Sequence, residues 1–289
     1  MAGLTPQRVS TACGPVEVAE SGTGPALLVL HGTPGGWQQA RLLTAEHSDR
    51  ARVLLVSRPG YGRTPLRSGR APREQAALYV ALLDVLGIDQ AVVLAISGGG
   101  PSAYAFAAHA PERCAGLLLC CALSGHLANP PADMRRLAAV PGLWSAAAAV
   151  ARGVHRLRAR ATSEPDLSSL TAAERDLAAD PRVLAGILDF AATRMQCLRG
   201  AGLRNDTRQM MAGVRAGQIA WPSGHDVRTV VLHGDADDVV PLSHAQSYAA
   251  TIPGARLEVL AGLGHALPVF APARLVELAT ELLTPTSTP

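Results

Sequence analysis

The chain has 289 residues, 48% of them apolar and 17% charged, with 26 arginines and no lysine set against 23 acidic residues. A formal net charge of +3 is too small to mark a nucleic-acid binder. No uncharged apolar run reaches about 18 residues and MAGLTPQRVS lacks a signal layout, which predicts no stable membrane association.

The first part alternates strand and helix. Residues 26–31 (ALLVLH) and 53–57 (VLLVS) are short apolar runs ended by Gly/Pro turns, as strands buried on both faces require. Between 72 and 86, Leu78, Leu82, Val85 and Leu86 share one helical face, and Gly87 supplies the stop. A strand at 91–96, a helix at 99–110 and a strand at 115–122 follow. Such alternation implies right-handed crossovers and a mainly parallel sheet with helices on both faces. The rhythm changes near Ser124: 131–160 and 171–215 are Ala/Arg/Leu-rich and helical in pattern, so 124–226 reads as an insertion between the core segments 1–123 and 227–289. It is mildly cationic, with 13 arginines against 9 acidic residues, where the remainder holds 13 against 14. Alternation resumes with a strand at 227–232, a helix at 243–251, a strand at 256–260 and a helix at 269–283; Ser243 and Gln246 suggest a capping box.

Residues 91–103 carry the chemistry: an apolar strand breaks at Ser97-Gly98-Gly99-Gly100 into an Ala-rich helix. A sharp strand-to-helix turn pushes one hydroxyl out of the fold, and the positions two before and two after it must be small, here Ala95 and Gly99. The same glycines satisfy a loose G-x-G-x-x-A dinucleotide pattern, but that reading needs an acidic residue after the next strand, where Ser124-Gly125-His126 stands. A serine becomes a nucleophile when a histidine takes its proton and a carboxylate fixes the imidazole. Both types follow at strand ends: Asp235, Asp237 and Asp238 after 227–232, and His265 in a Gly-flanked loop after 256–260.

On these residues the chain resembles an α/β-hydrolase-fold serine hydrolase with an inserted α-helical cap. The resemblance carries G-x-x-D-x-x-V-P onto Gly234, Asp237, Val240 and Pro241, and G-x-G-H onto Gly262, Gly264 and His265. It implies Ser97, Asp237 and His265 as catalytic residues, with Asp235 as the fallback acid, and the backbone N–H groups of Thr33 and Gly98 as an oxyanion hole. Two departures stand out: Ala95 replaces a glycine, and Ser57 stands where relatives often place Asp before R-P-G-x-G. The implied activity is cleavage of carboxylic esters or related acyl bonds on small molecules, without cofactor or metal, and the apolar insertion suggests small to medium acyl groups. Perhydrolase or haloperoxidase-like chemistry, C–C bond hydrolysis, aminopeptidase activity and ligand binding without turnover are the alternatives. Epoxide hydrolase and haloalkane dehalogenase chemistry would need an aspartate at Ser97. His31, His233 and the 58–62 turn read as structural, with Tyr61 in reach of the site mouth; His126 and His155 read as solvated or pocket-wall residues, and Trp37 and Trp144 as packing. Cys13, Cys114, Cys120, Cys121 and Cys197 lack metal-type spacing and read as free thiols of a cytoplasmic protein, with Cys120 and Cys121 on opposite faces of a strand. A homodimer is compatible with the sequence.

Overall fold

The computed structural model describes residues 4–43, 50–125, 127, 150, 167–168, 170–196, 200–212 and 227–284. The segment expected to be helical at 131–160, apart from Val150, lies outside these residues, as do Trp144, His155 and His126. Eight strands form one sheet: β1 (Gln7–Thr11), β2 (Gly14–Ser21), β3 (Ala26–Leu30), β4 (Arg52–Ser57), β5 (Ala91–Ile96), β6 (Cys114–Cys120), β7 (Thr229–Gly234) and β8 (Arg256–Leu260). Their order is β1-β2-β4-β3-β5-β6-β7-β8, with β1 and β2 antiparallel to their neighbours and the rest parallel.

The strict alternation of side chains along a strand divides the core in two. Ala91, Val93 and Ala95 of β5 face a cluster completed by α2 (Pro72–Val85), α3 (Gly100–His109) and α7 (Ser243–Thr251). Val92, Leu94 and Ile96 face the opposite cluster, built with α1 (Trp37–Leu43) and α9 (Pro272–Leu283). Between β6 and β7 come α4 (Ala172–Leu177), α5 (Pro181–Gln196) and α6 (Gly200–Ala212). The seat of α6 is close: the Gly202 amide donates to the Gly60 carbonyl at 3.1 Å, and a Cβ on Gly60 would lie 2.6 Å from the Gly202 α-carbon.

Several local expectations change. The β1–β2 hairpin has no counterpart among the expected elements; its polar, half-exposed first strand hides its pairing. The helix expected at 269–283 is two pieces, α8 (Leu267–Phe270) and α9, because Pro272 has no N–H to continue the first. Ser243 does not cap α7: the Pro241 carbonyl already accepts the His244 amide, so Leu242 is the capping residue and Ser243 lies inside the helix. Cys120 and Cys121 pack in the same cluster rather than on opposite faces, because Cys121 leaves the strand with φ 46° and breaks the alternation. The four described cysteines, Cys13, Cys114, Cys120 and Cys121, are free thiols.

Candidate active site

Ser97 ends β5 at the centre of the sheet with φ 51°, a left-handed conformation costly for a non-glycine residue, about 1–3 kcal/mol. The turn is held on both sides. The Leu123 amide donates to the Ser97 carbonyl at 2.9 Å, and Gly99 has no room for a side chain, since a Cβ there would lie 2.6 Å from the Leu30 carbonyl oxygen. The Ala95 methyl is accommodated, fully buried in the first core cluster.

Beside the serine stand two side chains from the loops that follow β7 and β8. His265 Nε2 lies 3.0 Å from Ser97 Oγ, and His265 Nδ1 lies 2.8 Å from Asp237 Oδ2. With the Nδ1–H donating to the carboxylate, the Nε2 lone pair is left for the serine hydroxyl. The other Asp237 oxygen accepts the amides of Val239 at 3.0 Å and Val240 at 2.8 Å, which fixes the carboxylate plane. Burial pushes the Asp237 carboxyl up, but the hydrogen bond and charge of His265, with the Val240 amide, outweigh it and hold the group below its ordinary value. Asp235, the fallback, is spent elsewhere: it is exposed and accepts the Gly262 amide at 2.7 Å. His233 is buried with Nε2 2.8 Å from the Val240 carbonyl and 3.4 Å from Asp237 Oδ2; burial lowers its pKa and favours the neutral ring.

The loop carrying Thr33 abuts the serine, since a Cβ on Gly32 would lie 3.1 Å from Ser97 Cβ, and the Thr33 side chain packs on the Gly98 backbone. Arg58 binds this loop. Its N–H donates to His31 Nε2 at 2.9 Å, its Nε to the His31 carbonyl at 2.8 Å, and its Nη2 to the Gly32 carbonyl at 3.2 Å and to Thr33 Oγ1 at 2.9 Å. His31, buried and beside this cation, has its pKa lowered well below the ordinary value. Tyr61 is fully buried, with its ring edge-on to His31 at 4.9 Å, so it is part of the scaffold and not of a site mouth.

Three carboxylates that hold loops of the site escape a reading of local motifs. Glu17 of β2 accepts the Ser57 hydroxyl at 2.8 Å and the Arg63 Nε at 2.6 Å, so it brings a carboxylate to Ser57 from another strand. Glu174 of α4 accepts the Gly264 amide at 2.9 Å, next to His265, while Thr171 Oγ1 donates to the Gly262 carbonyl at 2.7 Å. Thr171 and Glu174 also close a capping box, the one sequence signal that could have singled Glu174 out. Asp206 of α6 reaches the Arg58 cluster. A small cavity of about 20 Å³ lies here, lined by Gly98, Pro101, Leu123, Asp206 and Met210 among others.

Among the described residues, one trio brings potential metal donors together: those of Cys121, Asp237 and His265 lie within 4.8 Å of one another. Asp237 and His265 are already joined to each other, and the neighbouring Cys120 thiol, with burial, pushes the Cys121 thiol well above its ordinary value. Among these residues no helix is long and apolar enough to cross a membrane.

A family model described as the alpha/beta hydrolase fold matches residues 25–272. The chain is 30% identical over 267 residues to "Uncharacterized hydrolase YcgS" of Bacillus subtilis (strain 168), spanning 87% of this chain and 88% of that one. It is 28% identical over 265 residues to a 2-hydroxy-6-oxononadienedioate/2-hydroxy-6-oxononatrienedioate hydrolase of Klebsiella pneumoniae, spanning 86% and 84%. The solved structure of an alpha/beta hydrolase fold protein from Nakamurella multipartita superposes with a TM-score of 0.74 at 34% identity, covering 96% of this chain and 99% of that one.

Proposed function

The chain belongs to the α/β-hydrolase fold family, and from that footing we propose that it is a serine hydrolase of carboxylic esters or related acyl bonds. The observation that carries this reading is the hydrogen-bonded line from Ser97 Oγ through His265 to Asp237. Ser97 Oγ attacks the ester carbonyl carbon as His265 Nε2 takes its proton, and Asp237 holds the imidazole and stabilises the imidazolium. The tetrahedral oxyanion is received by the amides of Thr33 and Gly98, each such donor being worth about 3–4 kcal/mol. Collapse expels the alcohol, which takes the proton from His265, and leaves an acyl-Ser97 ester. Water, deprotonated by His265, then attacks that ester and releases the acid. Residues 124–226 form the cap over this site in the same reading, and the free thiols fit a reducing cytoplasm.

The dioate hydrolase similarity raises C–C bond hydrolysis on the same serine. One observation weighs against a dicarboxylate substrate: the buried guanidinium beside the Thr33 loop, Arg58, is already neutralised by Asp206 at 2.6 Å. The test is initial rates on p-nitrophenyl esters from acetyl to octanoyl, for wild type and Ser97→Ala. Saturable turnover is expected, reduced more than about ten-thousandfold by the substitution. Turnover that survives Ser97→Ala overturns the assignment, and an inert wild type moves the chain to the C–C or binding alternatives.

A further inference from the structure

Asp206 lies on α6, 148 residues along the chain from Arg58, and its side chain is only 4% exposed. One of its oxygens, Oδ2, collects three donors: Thr33 Oγ1 at 2.6 Å, Arg58 Nη2 at 2.6 Å and Tyr61 OH at 2.8 Å. The guanidinium it neutralises is itself 2% exposed and is the group that grips the backbone carbonyls of His31 and Gly32. Thr33 Oγ1 therefore stands between the two charges, accepting from Arg58 and donating to Asp206, on the residue whose amide is assigned to the oxyanion.

We infer that Asp206 is a positioning residue for the oxyanion hole, a carboxylate from the inserted helices that fixes the Thr33 amide through the Thr33 hydroxyl and Arg58. The inference rests on the serine-hydrolase reading and adds a dependence on α6. A buried Arg without its counter-ion would have to find another partner, and the carbonyls it holds belong to the two residues preceding the donor. A hydrogen bond of 2.6 Å from a hydroxyl to a carboxylate is of the short, charge-assisted kind, and it fixes a side-chain torsion one bond from the backbone in question. The seat of α6 on Gly60 brings Asp206 to this cluster, so displacement of the helix withdraws both contacts at once.

Three variants test this on p-nitrophenyl butyrate. Asp206→Asn keeps the shape and removes the charge; kcat is expected to fall about 10- to 100-fold, the scale of a misplaced oxyanion donor, with KM changed less than about threefold. Thr33→Val cuts only the hydroxyl link, and a fall in kcat of about tenfold is expected, a larger loss than that of Thr33→Ser, which keeps a hydroxyl at that position. The inhibition constant of butylboronic acid, whose Ser97 adduct is tetrahedral and anionic, should rise in parallel with the loss of kcat/KM across the set. A purely structural Asp206 would lower the melting temperature while leaving kcat per folded enzyme and the boronate constant unchanged, and that result overturns the inference. Equal activity of Thr33→Val and Thr33→Ser also overturns it, even if Asp206→Asn does not fold. Failure of the underlying reading looks different: the wild type itself would neither turn over esters nor be labelled at Ser97 by a fluorophosphonate.

Discussion

Two loops flank Ser97, and the helices between β6 and β7 hold them by different physics. The Thr33 loop is held through charge: Asp206 and Arg58, both buried, face each other at 2.6 Å. The His265 loop is held through neutral donors: Glu174, 2% exposed, accepts the amides of Thr171 at 3.0 Å and Gly264 at 2.9 Å. A buried ion pair is costly to break from one side, because the remaining charge is stranded, whereas losing one acceptor leaves amides that water can partly satisfy. The strands place the reacting side chains; the helical segment immobilises the loops around them, and the charged contact should be the more brittle of the two.

The sharpest way to break that contrast is Arg58→Met. Stranding Asp206 should cost about 3–5 kcal/mol in urea unfolding, and adding Asp206→Leu should restore at least half of it without restoring kcat. Equal instability of the single and double variants would show that the charge is not what distinguishes this loop. Glu174→Ala should cost less, about 1–3 kcal/mol for two unpaired amides and a lost capping box, with a smaller fall in kcat than Asp206→Asn. A loss larger than that of Arg58→Met would reverse the ranking of the loops. The smallest effect concerns acid. The folded Asp237 carboxyl lies below its ordinary value of 3.8, so its contribution is complete above that pH and is lost as pH falls through the lower folded value. Stability measured across that window should slope downward toward acid, and Asp237→Asn should flatten the slope. An unchanged slope would mean that other carboxylates govern acid unfolding.

Much of this arrangement is legible in the amino-acid sequence alone, for a local reason. Strands β3 and β5 are uninterrupted apolar runs, and the Ser97 turn announces itself because strand, helix and loop crowd so closely that Gly99 has no substitute. Asp237 stands among three aspartates; the resemblance singles it out through Gly234, Val240 and Pro241, and in the structure it lies 2.8 Å from His265 Nδ1 while Asp235 bonds the Gly262 amide. What stays hidden is non-local. Asp206 sits in GLRNDTRQM, a stretch with no pattern of its own, and its meaning comes from a guanidinium 148 residues away along the chain. Glu17 is equally opaque, because the hydroxyl it meets belongs to Ser57 of β4. The β1–β2 hairpin escapes because half-exposed strands with polar residues carry weak periodicity.

The seat between Gly60 and Gly202 has a consequence for inheritance. Backbone meets backbone there, and a methyl on Gly202 would enter the ring of Tyr61, so neither partner can drift alone. Asp206 follows Gly202 by about one helical turn, which ties its reach to the same contact. Descendants of this chain should therefore exchange the 58–62 turn and α6 together or keep both, and a laboratory chimera that swaps the helices for new specificity must carry the matching turn with them.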